Sequence, residues 1–388
     1  MSLGIYIQVP FCQTKCTYCN FHTGVAARSM YAPYARAVER EIAEHAALYA
    51  AAGLPHAATA ANQAVDTIYL GGGTPSLLDP ADLASMLGTL RTCFACADCE
   101  VTLEADPETI DAPKAAAWLS AGINRISLGT QSFNDSELAA AGRMHRRDDT
   151  FRAADLLRAA GFANLSFDLI AGLPHQTAES WQESLDQLLS LHPEHVSIYL
   201  LEIDEGSRLG RESLAGGARY GASAIPEDDA MAAFYERGCA QLAAAGYEHY
   251  EISNWALPGK RSRHNLKYWR REPYLGLGAG AHSFDGRWRW ANAHDPSAYV
   301  AAIGEGRLPI EQREEVTRKQ ALDEEMFLGL RQLEGIDLAR IERQYDVQLG
   351  PRIEELKAQG LVERDGPRVR LAPNRLTVSN EVFVALLD

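Results

Sequence analysis

Six short runs rich in β-forming residues alternate with helical patterns over the first 245 or so of 388 residues. The runs lie near Gly4–Val9, Thr67–Leu70, Glu100–Glu104, Arg125–Gly129, Asn164–Ile170 and Val196–Leu201. Between them, apolar residues recur at three- and four-residue spacing over Tyr34–Tyr49, Ala81–Leu90, Ala112–Leu119, Thr150–Ala160 and Glu179–Leu191. Asp79 followed by Pro80 reads as a helix start, and Gly122, Gly161 and Gly246 read as C-caps. Such alternation predicts an α/β fold: a parallel sheet with right-handed crossovers and ligands at the C-terminal ends of its strands. Whether the sheet stays open or curls into a barrel is left open by the pattern.

Directly after the first run stand Cys12, Cys16 and Cys19, in a C-x3-C-x2-C loop. Three thiolates on one tight loop can each hold one iron of a 4Fe–4S cluster, and no fourth cysteine follows at matching spacing. One iron then stays open to a small molecule. The alternative is a zinc loop, which usually needs a second paired unit to close a tetrahedral site. A second run, Cys93, Cys96 and Cys99, has metal-like spacing, with a surface connection as the plainer alternative. Cys239 lies in an apolar helical pattern and reads as a small buried hydrophobe.

Polar and glycine residues gather at the other strand ends. Gly71-Gly72-Gly73-Thr74-Pro75 follows the second run, and successive glycines let a ligand approach the backbone closely. Glu104 closes the third run, Gln131 and Arg143 follow the fourth, and Asp168 lies in the fifth. Carboxylates and amides on one rim suit a polar, charged ligand.

Taken together, these runs resemble radical S-adenosylmethionine (SAM) proteins, whose cysteine loop carries an aromatic residue where Tyr18 stands. Over nearly the whole chain they are similar to the coproporphyrinogen III dehydrogenase family, HemN, and its relative HemW. The resemblance implies a partial (βα)6 barrel with a winged-helix-like C-terminal domain. It implies a 4Fe–4S cluster on Cys12, Cys16 and Cys19 whose open iron is chelated by SAM, with reductive release of a deoxyadenosyl radical. By position it assigns SAM contacts to Tyr6, Tyr18, Gly72, Gly73, Thr74, Glu104, Gln131, Arg143 and Asp168, the last three matching residues that hold a second SAM in the family. Asp106 departs from the asparagine common in the family.

Two features separate the branches. The dehydrogenase has a fourth cysteine two residues after the third; here that place is Phe21, as in HemW. His264-Asn265-Leu266-Lys267-Tyr268-Trp269 fits HemW's HNxxYW motif, associated with heme. By resemblance His264, Asn265, Tyr268 and Trp269 are expected to contact heme, an imidazole for iron and flat aromatic faces for the porphyrin. Without the resemblance, a turn-capping histidine among core aromatics is the plainer reading. Gly276–Gly280 and His282 are further candidates for the same site. The expectation is therefore a heme chaperone that delivers heme to apo-hemoproteins of the respiratory chain. Such a protein reaches the membrane periphery only through its partner, and a homodimer is compatible with it. The alternatives are coproporphyrinogen III dehydrogenation and HemN-like radical methyl transfer.

The remaining readings concern organisation. A net charge of −15 argues against nucleic acid as a partner, and no apolar run approaches a membrane span or a leader ahead of the first strand, so a cytoplasmic location is expected. Ala52–Ala64 reads as a loop insertion, and Gly206–Ala224 as a mobile loop over the open end of the strands. The expected domains are 1–290, the radical SAM core with the trailing HNxxYW segment, and 291–388. The latter has helices near Pro296–Ile303, Thr317–Leu333, Asp337–Gln344 and Pro351–Ala358, then a hairpin through Asp365-Gly366.

Overall fold

The computed structural model describes residues 2–54 and 64–387, so most of the expected insertion at 52–64 lies outside the described residues. Six strands pair in parallel in chain order: β1 (Leu3–Val9), β2 (Val65–Gly72), β3 (Cys96–Ala105), β4 (Arg125–Gln131), β5 (Leu165–Ala171) and β6 (His195–Leu200). The crossovers carry helices α1 (Tyr31–Ala51), α2 (Pro80–Cys93), α3 (Ala112–Ser120), α4 (Arg147–Ala160) and α5 (Ala178–Ser190), and α6 (Asp228–Ala244) follows β6. The local signals act as expected. Asp79 accepts from the Ala81 amide with Pro80 in the first turn, and Gly161 ends α4 at φ 109°.

Strand alternation divides this sheet into two chemically distinct faces. Ile5, Ile7, Val9, Ile68, Leu70, Val101, Leu103, Ile126, Leu128, Phe167 and Ile198 are buried in one core with Val38, Leu87, Trp118, Leu157 and Trp181 of the helices. The alternate positions face inward and are polar: Thr67, Thr102, Arg125, Ser127, Ser166, His195 and Ser197, all buried.

The sheet is wider than six strands. Tyr274–Leu277 adds in parallel to the free edge of β1, and His282–Phe284, Trp288–Asn292 and Ile310–Glu315 continue it antiparallel. Asn254–Ala256 and Glu248–Glu251 extend the β6 edge, giving twelve strands in linear order, so the barrel remains open. The expected boundary at 290/291 falls inside strand Trp288–Asn292. Helix Pro296–Gly304 belongs with the sheet, because Tyr299 donates to Glu41 of α1 at 2.6 Å. A second core, including Met326, Leu330, Ile341, Ile353, Leu356 and Val369, gathers helices Arg318–Arg331, Leu338–Tyr345 and Gly350–Ala358 and the hairpin Val362–Asp365/Arg368–Leu371. Glu324 joins the two parts, pairing with Arg271 and Arg289, each at 2.7 Å.

Gly206–Ala224 corrects an expectation. It is not a loose loop: Ser207 caps helix Arg208–Leu214 by accepting from the Gly210 amide at 2.8 Å, and 3-10 turns fill Arg219–Ala224. Glycine and serine there serve capping and tight approach rather than mobility.

Glu41 is fully buried and accepts from Tyr299, the Gly278 amide, Asn292 and Tyr49. Glu41→Ala leaves these donors unsatisfied and is expected to cost roughly 3 kcal/mol in urea denaturation; Glu41→Gln, which keeps an acceptor, should cost less.

Candidate functional site

The cysteine loop is fixed at the C-terminal ends of the strands by backbone pairing. Past the end of β2, the Gly73 amide donates to the Val9 carbonyl at 2.8 Å and the Thr74 amide to the Phe11 carbonyl at 2.7 Å. A Cβ on Gly73 would lie 2.5 Å from the Phe11 carbonyl oxygen, so only glycine allows this approach. On the far side, the Thr17 amide donates to Ala141 at 3.0 Å, its hydroxyl to Ala140 at 2.9 Å, and the Leu209 amide returns a bond to Thr17 at 2.8 Å. Arg208 donates to the Lys15 carbonyl. The segment expected to be mobile is thus a clamp on the loop.

Cys12, Cys16 and Cys19 are all unpaired and partly buried. Arg143 donates to the Cys16 sulfur at 3.2 Å, to the Gly129 carbonyl at 2.9 Å, and to Asp106. Asp106 also accepts from Thr74 at 3.1 Å. Asp106 therefore balances a guanidinium held against Cys16. Phe21 is 67% exposed.

Around this loop lie the other candidates. Glu104 accepts from Tyr69 at 2.8 Å and from the Gly72 amide at 3.0 Å. Withdrawal from water nevertheless raises its carboxyl to about 7, and the nearby Asp168 charge adds to that. Burial raises Asp168 as well, opposed by bonds from Ser197 and Ser127 and by the charges of Arg125 and Arg143. Two carboxyls shifted this way beside a cation are suited to a positively charged ligand. Tyr6 donates to Gln8 at 2.8 Å and its ring lies against Tyr69 at 6.0 Å. Gln131 ends β4 at φ 65°, a left-handed conformation that costs a non-glycine residue energy and re-aims its side chain after a register shift. Tyr18 packs against the cluster of Ala141, Ile170, Leu173 and Leu201. Gln8, Tyr69 and Ser197 were not singled out from sequence. Their signal was the period-two polar positions of β1, β2 and β6, masked by the apolar positions between them.

The HNxxYW segment sits at the opposite end. Helix Arg263–Trp269 meets the N-terminal ends of the strands: the Arg263 and His264 amides both donate to Glu100 at 3.1 Å, and Lys267 reaches Asp66 at 2.8 Å. His264 is 1% exposed. Its Nδ1 lies 2.9 Å from the Thr67 hydroxyl and its Nε2 2.9 Å from that of Tyr268. Tyr268 packs edge-on to Tyr274 at 4.7 Å, and Arg331 lies over the Trp269 ring at 4.4 Å. The expectation that this imidazole is offered to iron therefore meets a ring with both nitrogens engaged, in a helix that plugs the base of the sheet. Asn265 is a helix residue whose amide is capped by Ser262.

Cys93 ends α2, whereas Cys96 and Cys99 lie within β3 rather than in a surface connection. Burial, with Cys96 and Asp66 nearby, pushes the Cys99 thiol up to about 12, which disfavours the thiolate a metal needs. Among the described residues no three His, Cys, Asp or Glu side chains gather around the position of a single ion. A four-iron cluster makes a different demand, one cysteine per iron corner. Three free thiols on a clamped loop beside a glycine cradle meet it.

The sequence profile described as the radical SAM superfamily matches residues 6–188, and that of the HemN C-terminal domain matches 316–374. The heme chaperone HemW of Bacillus subtilis is 34% identical, covering 98% of both chains. HemW of Mycobacterium tuberculosis is 36% identical over 99% of this chain and 94% of its own. The solved structure of coproporphyrinogen III oxidase (HemN) from Escherichia coli, a radical SAM enzyme, has a TM-score of 0.83 over 99% of this chain and 90% of that one. At 23% identity that likeness establishes the fold.

Two outcomes follow from the geometry. Gly73→Ala is expected to displace the cysteine loop and to lower the iron and sulfide retained after anaerobic reconstitution, with the melting temperature checked alongside. His264 is held down to about 3 by burial, with the Lys267 charge adding to the effect, whereas an unfolded imidazole titrates near 6.5. The unfolded chain takes the proton first, so stability present above pH 6.5 drains as pH falls toward 3. His264→Gln should flatten that part of the acid limb in chemical denaturation at stepped pH.

Proposed function

The chain belongs to the HemW family of radical SAM proteins, and on that premise we propose that it binds heme and passes it to apo-hemoproteins of the respiratory chain. Cys12, Cys16 and Cys19 would hold the 4Fe–4S cluster. Gly72, Gly73, Thr74, Glu104, Gln131, Arg143 and Asp168, with Tyr6 and Tyr18, would surround SAM on its open iron. When bound, such a cluster supplies an electron to the sulfonium of SAM. The chain's own residues do the positioning. The Gly73 and Thr74 amides hold the loop, Arg143 steadies Cys16, and the carboxyls of Glu104 and Asp168 offer partners for a cation.

The observation that favours a chaperone over porphyrinogen oxidation is Phe21. It stands where the dehydrogenase has its fourth cysteine, and it points largely into solvent. Among the described residues no helix is long and apolar enough to cross a membrane, so delivery to a membrane complex would rest on contact with the recipient. The domain division we propose follows the sheet: a SAM-binding part through Glu315 and a C-terminal part from Thr317.

The test is anaerobic reconstitution followed by titration with hemin and, separately, with coproporphyrinogen III plus SAM and reductant. The expected result is about four irons per chain, stoichiometric heme and no vinyl product. Formation of protoporphyrinogen with deoxyadenosine release would make the chain a dehydrogenase despite Phe21.

A further inference from the structure

The C-terminal part reaches the HNxxYW helix through one side chain. Arg331 ends helix Arg318–Arg331, and its guanidinium lies 4.4 Å from the centre of the Trp269 ring. Backbone bonds lock this junction: the Ile252 amide donates to the Arg331 carbonyl and the Leu333 amide to the Tyr250 carbonyl, each at 3.1 Å. The side chains are less settled. The nearest acid to Arg331 is the buried Glu251, at 3.7 Å, which is too long for a hydrogen bond. Arg331 Nε, Trp269 Nε1 and Glu251 Oε2 are each shielded from solvent without a hydrogen-bond partner. Three such groups at one contact are unusual, because buried polar groups are nearly always paired. The junction is not sealed: Arg331 is 25% exposed, and Asn265, Tyr268 and Trp269 keep part of their surface.

The surrounding charge points the same way. In a chain of net charge −15, Lys260–Arg271 holds six of the 37 lysines and arginines. Five of the six are occupied within the fold: Lys260 on the Ala163 carbonyl, Arg261 on Glu248, Arg263 on the Asp98 carbonyl, Lys267 on Asp66 and Arg271 on Glu324. The sixth, Arg270, is exposed directly after Trp269, and its side chain has no partner among the described residues. We propose that Arg331, together with Arg270, pairs with the propionate carboxylates of heme held against this helix, so that the C-terminal part completes the heme site. The inference rests on the heme-binding reading above, with Trp269 as a contact, and names what binds the acidic edge of the porphyrin. A guanidinium forks onto a carboxylate with two parallel bonds, and a propionate gives Arg331 Nε the acceptor it lacks. Glu251 does not hold Arg331 back. It keeps the Ser253 amide, at 3.1 Å, and Asn254 as donors, and burial already raises its carboxyl against the pull of Arg331. A guanidinium turned toward heme therefore leaves a protonated acid rather than a bare carboxylate.

The test is titration of the cluster-loaded chain with hemin and with hemin dimethyl ester, in which both propionates are esterified and the iron is unchanged. The unaltered chain is expected to bind hemin about tenfold more tightly than the diester. R331Q is expected to lose that margin on hemin while binding the diester as the unaltered chain does, and R331K to recover part of it. R270Q, at an exposed position, should show the same selectivity to a smaller degree and does not depend on the junction. Cluster content and melting temperature, read on every variant, check that the fold is kept. An equal loss of hemin and diester in R331Q would make Arg331 a prop for Trp269 alone and overturn the proposal. Equal binding of the two ligands by the unaltered chain would overturn it too, and in both cases heme binding itself would stand. Failure of the unaltered chain to bind either ligand would overturn the heme reading as well.

Discussion

Two backbone hydrogen bonds organise the mouth of this protein, from the Gly73 and Thr74 amides to the Val9 and Phe11 carbonyls. They extend the parallel pairing of β1 and β2 past the sheet itself, so the cysteine loop leaves the barrel as a continuation of its ladder. Everything else at the mouth is positioned against that loop. Asp106 couples Thr74 to Arg143, Arg143 reaches Cys16, and the Ala140–Arg143 turn and the Arg208 helix grip Thr17. A site built on rigid strand ends and clamped from both sides needs little further ordering when a ligand arrives.

The inner face of the sheet separates two kinds of polar chemistry. At the mouth, burial raises Glu104 and Asp168, a shift that recurs at ligand sites. At the base, Glu100, Asp66, Lys267 and His264 satisfy one another around helix Arg263–Trp269. A buried polar group that is fully satisfied specifies packing; one left with free capacity invites a ligand. By that criterion the polar groups around helix Arg263–Trp269 specify its packing against the base of the sheet.

Much of the architecture was legible in the chain. Period-two and helical patterns, the Asp79–Pro80 start and the glycine stops report short-range geometry, and short-range geometry survives into the fold. The edge strands were not legible. Tyr274–Leu277 and its neighbours look like connections until β1 offers them an edge, so the sheet outran the expected boundary. Gly206–Ala224 has the composition of a loose loop, and only its docking on Thr17 makes it a clamp.

The sequence by itself determined the spacing of the three thiols and their place after the first strand, because both are local properties. It also determined that Phe21 replaces a fourth thiol. What only the tertiary structure decided is which distant residues share an end of the sheet. Strand direction puts Cys16 and Arg143 in contact across 127 positions, and sets His22 against His294. It also buries His264 at the base between Thr67 and Tyr268, an outcome no motif spacing contains, because which end of a sheet a side chain reaches is fixed by topology and not by its neighbours in the chain.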